Sequence, residues 1–216
     1  MSGESLTHTA YLLLRDMIVT LELPPGAVLS QEDLQERTGL GRTPIHQALQ
    51  RLEHEEFVVV IPRRGAFVTN VDVLELPVLY ESRALLEPYM AREAARRGAI
   101  SDWDEMAAVL DELKASATFH QRVAVDRRCH ELIWAASGNR FLGRTVDALY
   151  AQSDRLWHMH LIEITDMRTT IEEHRQMLAV LRSGDGDAAA ALMADHIRSL
   201  HDQISAVIGS SLRPVS

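Results

Sequence analysis

Two runs of β-branched and aromatic residues, Phe57 to Ile61 and Ala66 to Thr69, lie side by side with only Pro-Arg-Arg-Gly between them. Strands that close fold as a hairpin, with Gly65 available for the turn. No further β-rich run follows, so the rest of the chain reads as helical. The residues just before the hairpin read as two short helices around a Gly-bounded turn. That order is a helix-turn-helix followed by a wing.

Each boundary has a local cause. Ser30 is placed to cap the first of the two helices, with Asp33 three residues on in an approximate capping box and Leu34 pointing into the core. Gly39 stops that helix, and Leu40 and Gly41 carry the turn. Thr43 is the expected N-cap of the second helix, and Pro44 suits its first position because the missing N–H would be unpaired there anyway. Ile45, Leu49 and Leu52 fall on one side, which leaves Arg42, His46, Gln47 and Gln50 on the outer face. That face has the geometry of a major-groove reader. Arg63 and Arg64 sit at the wing tip, where two readings stand: a solvated hairpin, or a basic tip that meets phosphate or enters the adjoining minor groove.

The run Leu23-Pro24-Pro25-Gly26, Leu34, Gly39-Leu40-Gly41-Arg42-Thr43-Pro44, Ala48-Leu49-Gln50-Arg51-Leu52 and Arg64-Gly65-Ala66-Phe67-Val68 resembles the winged-helix domain of GntR-family bacterial transcription regulators. The resemblance covers about the first third of the chain, with several motifs in the family's order. It implies binding to double-stranded operator DNA through Arg42, Thr43, His46, Gln47, Arg51, Arg63, Arg64 and Gly65. Two residues depart from the family pattern: His46 stands where arginine is usual, and Gly41 where serine is. Imidazole lacks the guanidinium fork, so base preference and affinity are the properties this departure touches.

Charge constrains how such a head can bind. The chain carries −9 overall, and residues 1–70 hold six arginines against nine acids. A generic nucleic-acid coater would be basic. What remains is a local strip of Arg42, Arg51, Arg63 and Arg64 with His46 between. Weak non-specific binding is therefore expected, with a homodimer engaging two half-sites of an inverted repeat.

At 216 residues and 46% hydrophobic, the chain can hold one large domain or two modest ones with their own cores. The change of pattern puts the boundary at Asn70 to Asp72, giving an expected DNA-binding domain over 1–70 and a helical domain over 71–216. A first helix is expected from Leu6 to Leu21, with Leu13, Met17 and Leu21 on its inner face, ended by Pro24-Pro25-Gly26. After the boundary, amphipathic helices are expected over 73–97, 103–117, 119–136, 140–164, 167–181 and 187–208, an all-α antiparallel bundle. The fold class is thus mainly α. No apolar run is long enough to cross a bilayer and no signal peptide precedes Leu12 to Leu14, so the expected location is cytoplasmic, away from membranes. A single cysteine, Cys129, excludes an internal disulfide and fits a reducing compartment.

The bundle's apolar stripes are interrupted at telling places. One inner face reads Phe119, Val123, Asp126, His130, Ile133, a second Met167, Ile171, His174, Leu178, Leu181, and a third Met193, His196, Leu200, Val207. Unpaired burial of these polar groups would cost on the order of several kcal/mol, so they need a shared partner. A divalent metal ion is the economical one: Asp126 and His130, one turn apart, can reach the same cation, and His174 with His196 complete a three-histidine, one-carboxylate set. Each histidine taken singly is more simply a hydrogen-bonded core residue.

Asp126-x-x-x-His130, Gly138-Asn139, Glu173-His174-Arg175 and His196 resemble the ligand-binding FCD domain of the FadR-type branch, over about residues 72 to 208. The resemblance implies a divalent metal such as zinc or nickel on those four residues. Arg83 interrupts another stripe, Leu79, Arg83, Leu86, Met90, where a permanent charge needs a permanent anion. That anion is either Glu87 one turn on, or the carboxylate of a small organic acid effector, which the resemblance favours. His160, on the stripe through Leu142, Val146, Leu149, Ser153 and Leu156, is a candidate lining residue. The expected function is a transcriptional regulator controlled by such an acid, and not an enzyme. Two alternatives share the residues: a regulator for which the ion itself is the signal, and a metal-dependent enzyme. Against the last, there is no His-Glu-x-x-His, phosphate loop or nucleophile elbow.

Overall fold

The computed structural model describes residues 5–160 and 167–211, without the side chains of 160 and 207–211. The chain divides into two compact units, Met1–Asp72 and Val73–Ser216.

In the first unit, α1 (Leu6–Val19) packs along α3 (Arg42–His54), with α2 (Gln31–Thr38) beside α3. Ser5 caps α1 by accepting from the His8 N–H. The inner face of α1 is Ala10, Tyr11, Leu14, Met17 and Ile18, while Leu13 is 42% exposed. The expected stripe through Leu13, Met17 and Leu21 was out of phase: steps of four drift around a 3.6-residue helix, and α1 ends before Leu21, whose φ is 63°. Ser30 caps α2 by accepting from the Asp33 N–H, and Gly39 closes it in the left-handed conformation at φ 69°. Thr43 is not the cap of α3. Gly41 holds that position, its carbonyl already accepting from the Ile45 N–H at 3.3 Å, so Thr43 is the second helical residue. Pro44 still falls in the first turn, where a missing donor costs nothing.

The hairpin forms from β2 (Val58–Ile61) and β3 (Gly65–Val68), in the register Val58↔Val68 to Ile61↔Gly65. A two-residue strand, β1 (Val28–Leu29), pairs with the other side of β3, so the order is β1-β3-β2. Two residues are too few to show a period, and nothing in the sequence marked β1. Phe57, just before β2, and Val68 of β3 are buried, as are Leu34, Ile45 and Leu52 of the helices, and these form the core of this unit.

The second unit opens with a 3-10 turn (Val73–Glu75) and continues through α4 (Leu76–Arg97), α5 (Ile100–Asp111), α6 (Phe119–Ala136), α7 (Arg140–His160), α8 (Arg168–Ser183) and α9 (Gly186–Ser211). Helix α4 is the organiser: it packs against α6, α7 and α8 and most extensively against α9. Helix α5 begins three residues earlier than its apolar pattern indicated, because the Asp102 carboxylate reaches back to the Ala99 N–H at 2.8 Å. It also ends earlier, because the buried Arg122 guanidinium donates to the carbonyls of Ala115 and Ala117 and holds 115–117 as a loop. Thr118 and Gln121 then form a reciprocal capping box that starts α6. Gly98 is required between α4 and α5, since a Cβ there would lie 2.2 Å from the Trp103 ring.

Candidate metal centre and DNA-reading face

Asp126 and His130 stand one turn apart on α6, His174 on α8 and His196 on α9, and all four are buried. Each is flanked by buried apolar residues of its own helix: Val123 and Ile133, Ile171 and Met177, Met193 and Leu200; on α8 Met177 takes the inward place expected of Leu178, which is half-buried. Their donor atoms all lie within 4.8 Å of one another. Asp126 Oδ1 is 2.7 Å from His174 Nε2, 3.7 Å from His196 Nε2 and 3.9 Å from His130 Nε2. Nitrogen and oxygen ligands about 2.1 Å from a divalent ion are spaced about 3.4 Å apart in a tetrahedral shell, so this donor set fits such an ion with small adjustments.

The groups behind the donors fix their protons. His196 Nδ1 lies 2.7 Å from Glu173 Oε2, and His130 Nδ1 lies 2.7 Å from Glu87 Oε2, the second contact close but not in line for a hydrogen bond. The hydrogen bond to Glu173 draws the His196 ring proton to Nδ1 and leaves its Nε2 bare. Yet His130 Nε2 and His196 Nε2 face each other at 3.1 Å. Either the His130 ring proton or a cation can occupy the space between them. Tyr150 donates to the other Asp126 oxygen at 2.5 Å, which completes the support of that carboxylate.

Electrostatics follow from burial and pairing. Burial pushes the Asp126 carboxyl up, but the surrounding histidines outweigh it and hold it well below the usual carboxylate range. Burial pushes His174 down to about 4, against the opposing pull of Asp126, so at neutral pH it is an uncharged donor. Glu87 is held at about 2: burial raises it, and Arg83 and His130 more than compensate.

Arg83, 1% exposed, lies beside this cluster and donates from Nε to Glu87 Oε1 at 2.6 Å. Its guanidinium carbon sits 4.9 Å from the Tyr150 ring centre and 5.2 Å from that of Tyr80. Its Nη2 has no hydrogen-bond partner among the described residues. Both anions weighed for Arg83 are thus still in play, since Glu87 takes one edge of the fork and leaves another nitrogen unused. The side chain of His160 lies outside the described residues. Cys129, next to His130, is buried and takes no place in the donor set, its thiol pushed up by burial.

On the first unit, Arg42, Thr43, His46, Gln47, Arg51, Arg63, Arg64 and Gly65 are all exposed. Several are held from behind. Arg42 Nε donates to Gln31 Oε1 at 3.2 Å, Gln31 Nε2 lies 3.4 Å from His46 Nδ1, and Thr7 donates to Gln47 Oε1 at 2.6 Å. Arg51 is tied most firmly, donating to Glu55 at 2.9 Å with its guanidinium carbon 3.4 Å from the Tyr11 ring centre. Tyr11 in turn donates to Glu55 and accepts from Arg15. At the wing tip the Arg64 N–H closes on the Ile61 carbonyl at 3.0 Å, with Pro62 at the second turn position and Arg63 at φ 65° in the third. That is the type II pattern, which normally places glycine where Arg63 stands. Sequence reading missed Gln31, Thr7, Tyr11, Tyr150 and the backing role of Glu173. Tyr150 was nearest to view, one position beside the α7 stripe.

Comparison with known proteins agrees with both units. Residues 78–199 match the FCD domain, and residues 6–68 match the bacterial regulatory proteins of the gntR family. An HTH-type transcriptional regulator from the unstable DNA locus of Streptomyces ambofaciens is 29% identical, covering 95% of this chain and 88% of the relative. The galactonate operon transcriptional repressor of Escherichia coli is 27% identical over 85% of this chain and 90% of its own length. Among solved structures, E. coli McbR/YncC superposes with a TM-score of 0.83 at 23% identity, over 94% of this chain and 99% of that one. The metal-free FCD domain of TM0439 superposes at 0.54 and 18% identity, over 65% of this chain and 99% of that one. With a winged head and a helical body that both match, the chain belongs to the GntR family of bacterial regulatory proteins, in the FadR-type branch with an FCD domain, and is a transcriptional regulator.

Proposed function

We propose that the chain acts as a homodimer on an inverted-repeat operator, and that a small carboxylic acid, bound beside a divalent ion in the helical unit, sets its affinity for DNA. The observation that carries this reading is the convergence of Asp126, His130, His174 and His196, whose buried donor atoms all lie within 4.8 Å of one another, with Nε2 of His130 and His196 3.1 Å apart. Asp126, His130, His174 and His196 would hold the ion, zinc or nickel being the metals the family resemblance implies. The bound ion supplies positive charge and coordination positions for oxygen ligands. Arg83 already balances Glu87, and Asp126 alone cannot neutralise a divalent ion. The loaded site therefore favours an anion, and the unpaired Arg83 Nη2 offers it a charge-assisted hydrogen bond.

Calorimetry of the metal-loaded full chain against hydroxy and sugar acids tests this; the galactonate operon repressor among its relatives puts sugar acids first in the panel. Arg83→Gln is expected to weaken acid binding about 10- to 100-fold, the worth of one hydrogen bond to a charged group. Equal affinities in the two proteins reject the fork. Mobility-shift titrations separate the two signals: if chelator and metal toggle operator affinity while no acid does, the ion is the effector.

In the head, α3 would enter the major groove and the wing lie alongside, with Arg63 and Arg64 on phosphate. The left-handed Arg63 gives a second test. Arg63→Gly relieves about 1 kcal/mol of backbone strain, so urea unfolding is expected to show a small gain in stability. Operator affinity is expected to fall several-fold at the same time, with the slope of log affinity against log salt reduced by about 0.9 per head. A glycine variant that binds as tightly, with the same salt slope, removes Arg63 from the phosphate contacts.

A further inference from the structure

Gln31 stands at the start of α2 and faces two side chains of the reading helix. Its Oε1 accepts from Arg42 Nε at 3.2 Å, and its Nε2 lies 3.4 Å from His46 Nδ1. The direction of these contacts is not free. A guanidinium only donates, so Arg42 compels Gln31 to turn its oxygen that way. The amide nitrogen, which also only donates, then faces His46. Nδ1 must accept, and the one ring proton of the uncharged imidazole is left on Nε2.

We propose that Arg42 and Gln31 together lock His46 as an Nε2–H donor, and that the protein uses this donor to reject cytosine at one position of each operator half-site. The proposal rests on the operator-binding reading above and specifies what one residue of that face selects. In the major groove, guanine offers N7 and O6, adenine N7 and thymine O4 as acceptors, whereas cytosine presents only its N4 amino donor. A lone, fixed donor accepts any of the first three and meets cytosine donor to donor. An arginine at the same position would donate without any lock, because it has no second proton arrangement. A histidine needs Gln31 to make it dependable.

The experiment is operator selection from a randomised duplex library with the full chain, run on wild type, Gln31→Met, His46→Arg and the double variant. Gln31→Met keeps the side-chain length and removes both amide groups. Wild type is expected to deplete cytosine at one position per half-site. Gln31→Met frees the ring to take either proton arrangement, and cytosine at that position is expected to recover about fivefold, the worth of one hydrogen bond. In the His46→Arg background, Gln31→Met is expected to leave the base preference there unchanged. Nitrogen-15 spectra of the imidazole in the DNA-free chain provide the direct readout. Wild type should show a protonated Nε2 and a bare Nδ1, and Gln31→Met a mixture.

Identical base selection by wild type and Gln31→Met overturns the proposal. So does a change in selection that persists with arginine at position 46, which would make Gln31 a structural support only. Should no sequence be enriched by wild type, operator binding and cytosine rejection both fail, while an Nε2–H ring in the same sample would uphold the lock.

Discussion

Stripping divalent metal from the full chain with a chelator is expected to lower its melting temperature by about 5–10 °C, and restoring the metal to reverse the loss. A ligand at a hundred times its dissociation constant stabilises the native state by about 2.7 kcal/mol. For a chain of this length each kcal/mol moves the midpoint by roughly 2–4 °C. Asp126→Asn, which keeps the shape of the side chain and removes its charge, is expected to abolish the metal-dependent part of the shift.

Acid separates the loaded and stripped forms further. In the metal-free chain His174 is pushed from 6.5 to about 4 by burial. The folded state then binds fewer protons there than the unfolded one. Its contribution to stability is full above pH 6.5 and is lost as pH falls through about 4. A purified chain that contains no metal by elemental analysis, and melts at the same temperature with or without chelator and added metal, sinks the metal centre.

The convergence of Asp126, His130, His174 and His196 was legible because each interrupts an apolar stripe at helical spacing. A stripe that must be buried carries its interruptions inward with it. The phase of a stripe is readable only where the helix is long enough: the helix of Asp126 runs 18 residues, whereas α1, at 14, was read one residue out of step and Leu13 was placed inside. Groups that support a site across elements left weaker marks. Glu87 could be seen because it lies one turn from Arg83 on the same helix. Gln31 and Thr7 could not, since each is a half-buried polar residue in the first turn of its helix and its partner is fixed by how α1, α2 and α3 pack, not by spacing. Strand β1 and the early start of α5 were hidden for a related reason: pairing with β3 and a single Asp102 hydrogen bond decide them, and neither has a period.

Glu87→Ala is expected to cost about 3–5 kcal/mol, because it leaves the fully buried Arg83 guanidinium without its carboxylate. That is a large share of the ~5–15 kcal/mol that holds a domain together. The effect depends on pH in a stated direction. Glu87 is depressed from 4.5 to about 2, so its contribution is complete above pH 4.5 and disappears as pH falls through about 2. The stability difference between wild type and Glu87→Ala should shrink over that window.

A second variant separates holding the fold from sensing. Arg83→Met combined with Glu87→Leu replaces a buried ion pair by apolar side chains of similar size, a change that is often neutral or stabilising, so most of the loss is expected to be recovered. If the pair serves only the core, this double variant melts near wild type and its operator affinity still responds to acid. If Arg83 holds the effector, it melts near wild type, keeps its metal-dependent shift in melting temperature and no longer responds. Denaturant unfolding and acid-dependent mobility shift on the same preparation decide between the two, and a stable double variant that still answers to acid would move the effector away from Arg83.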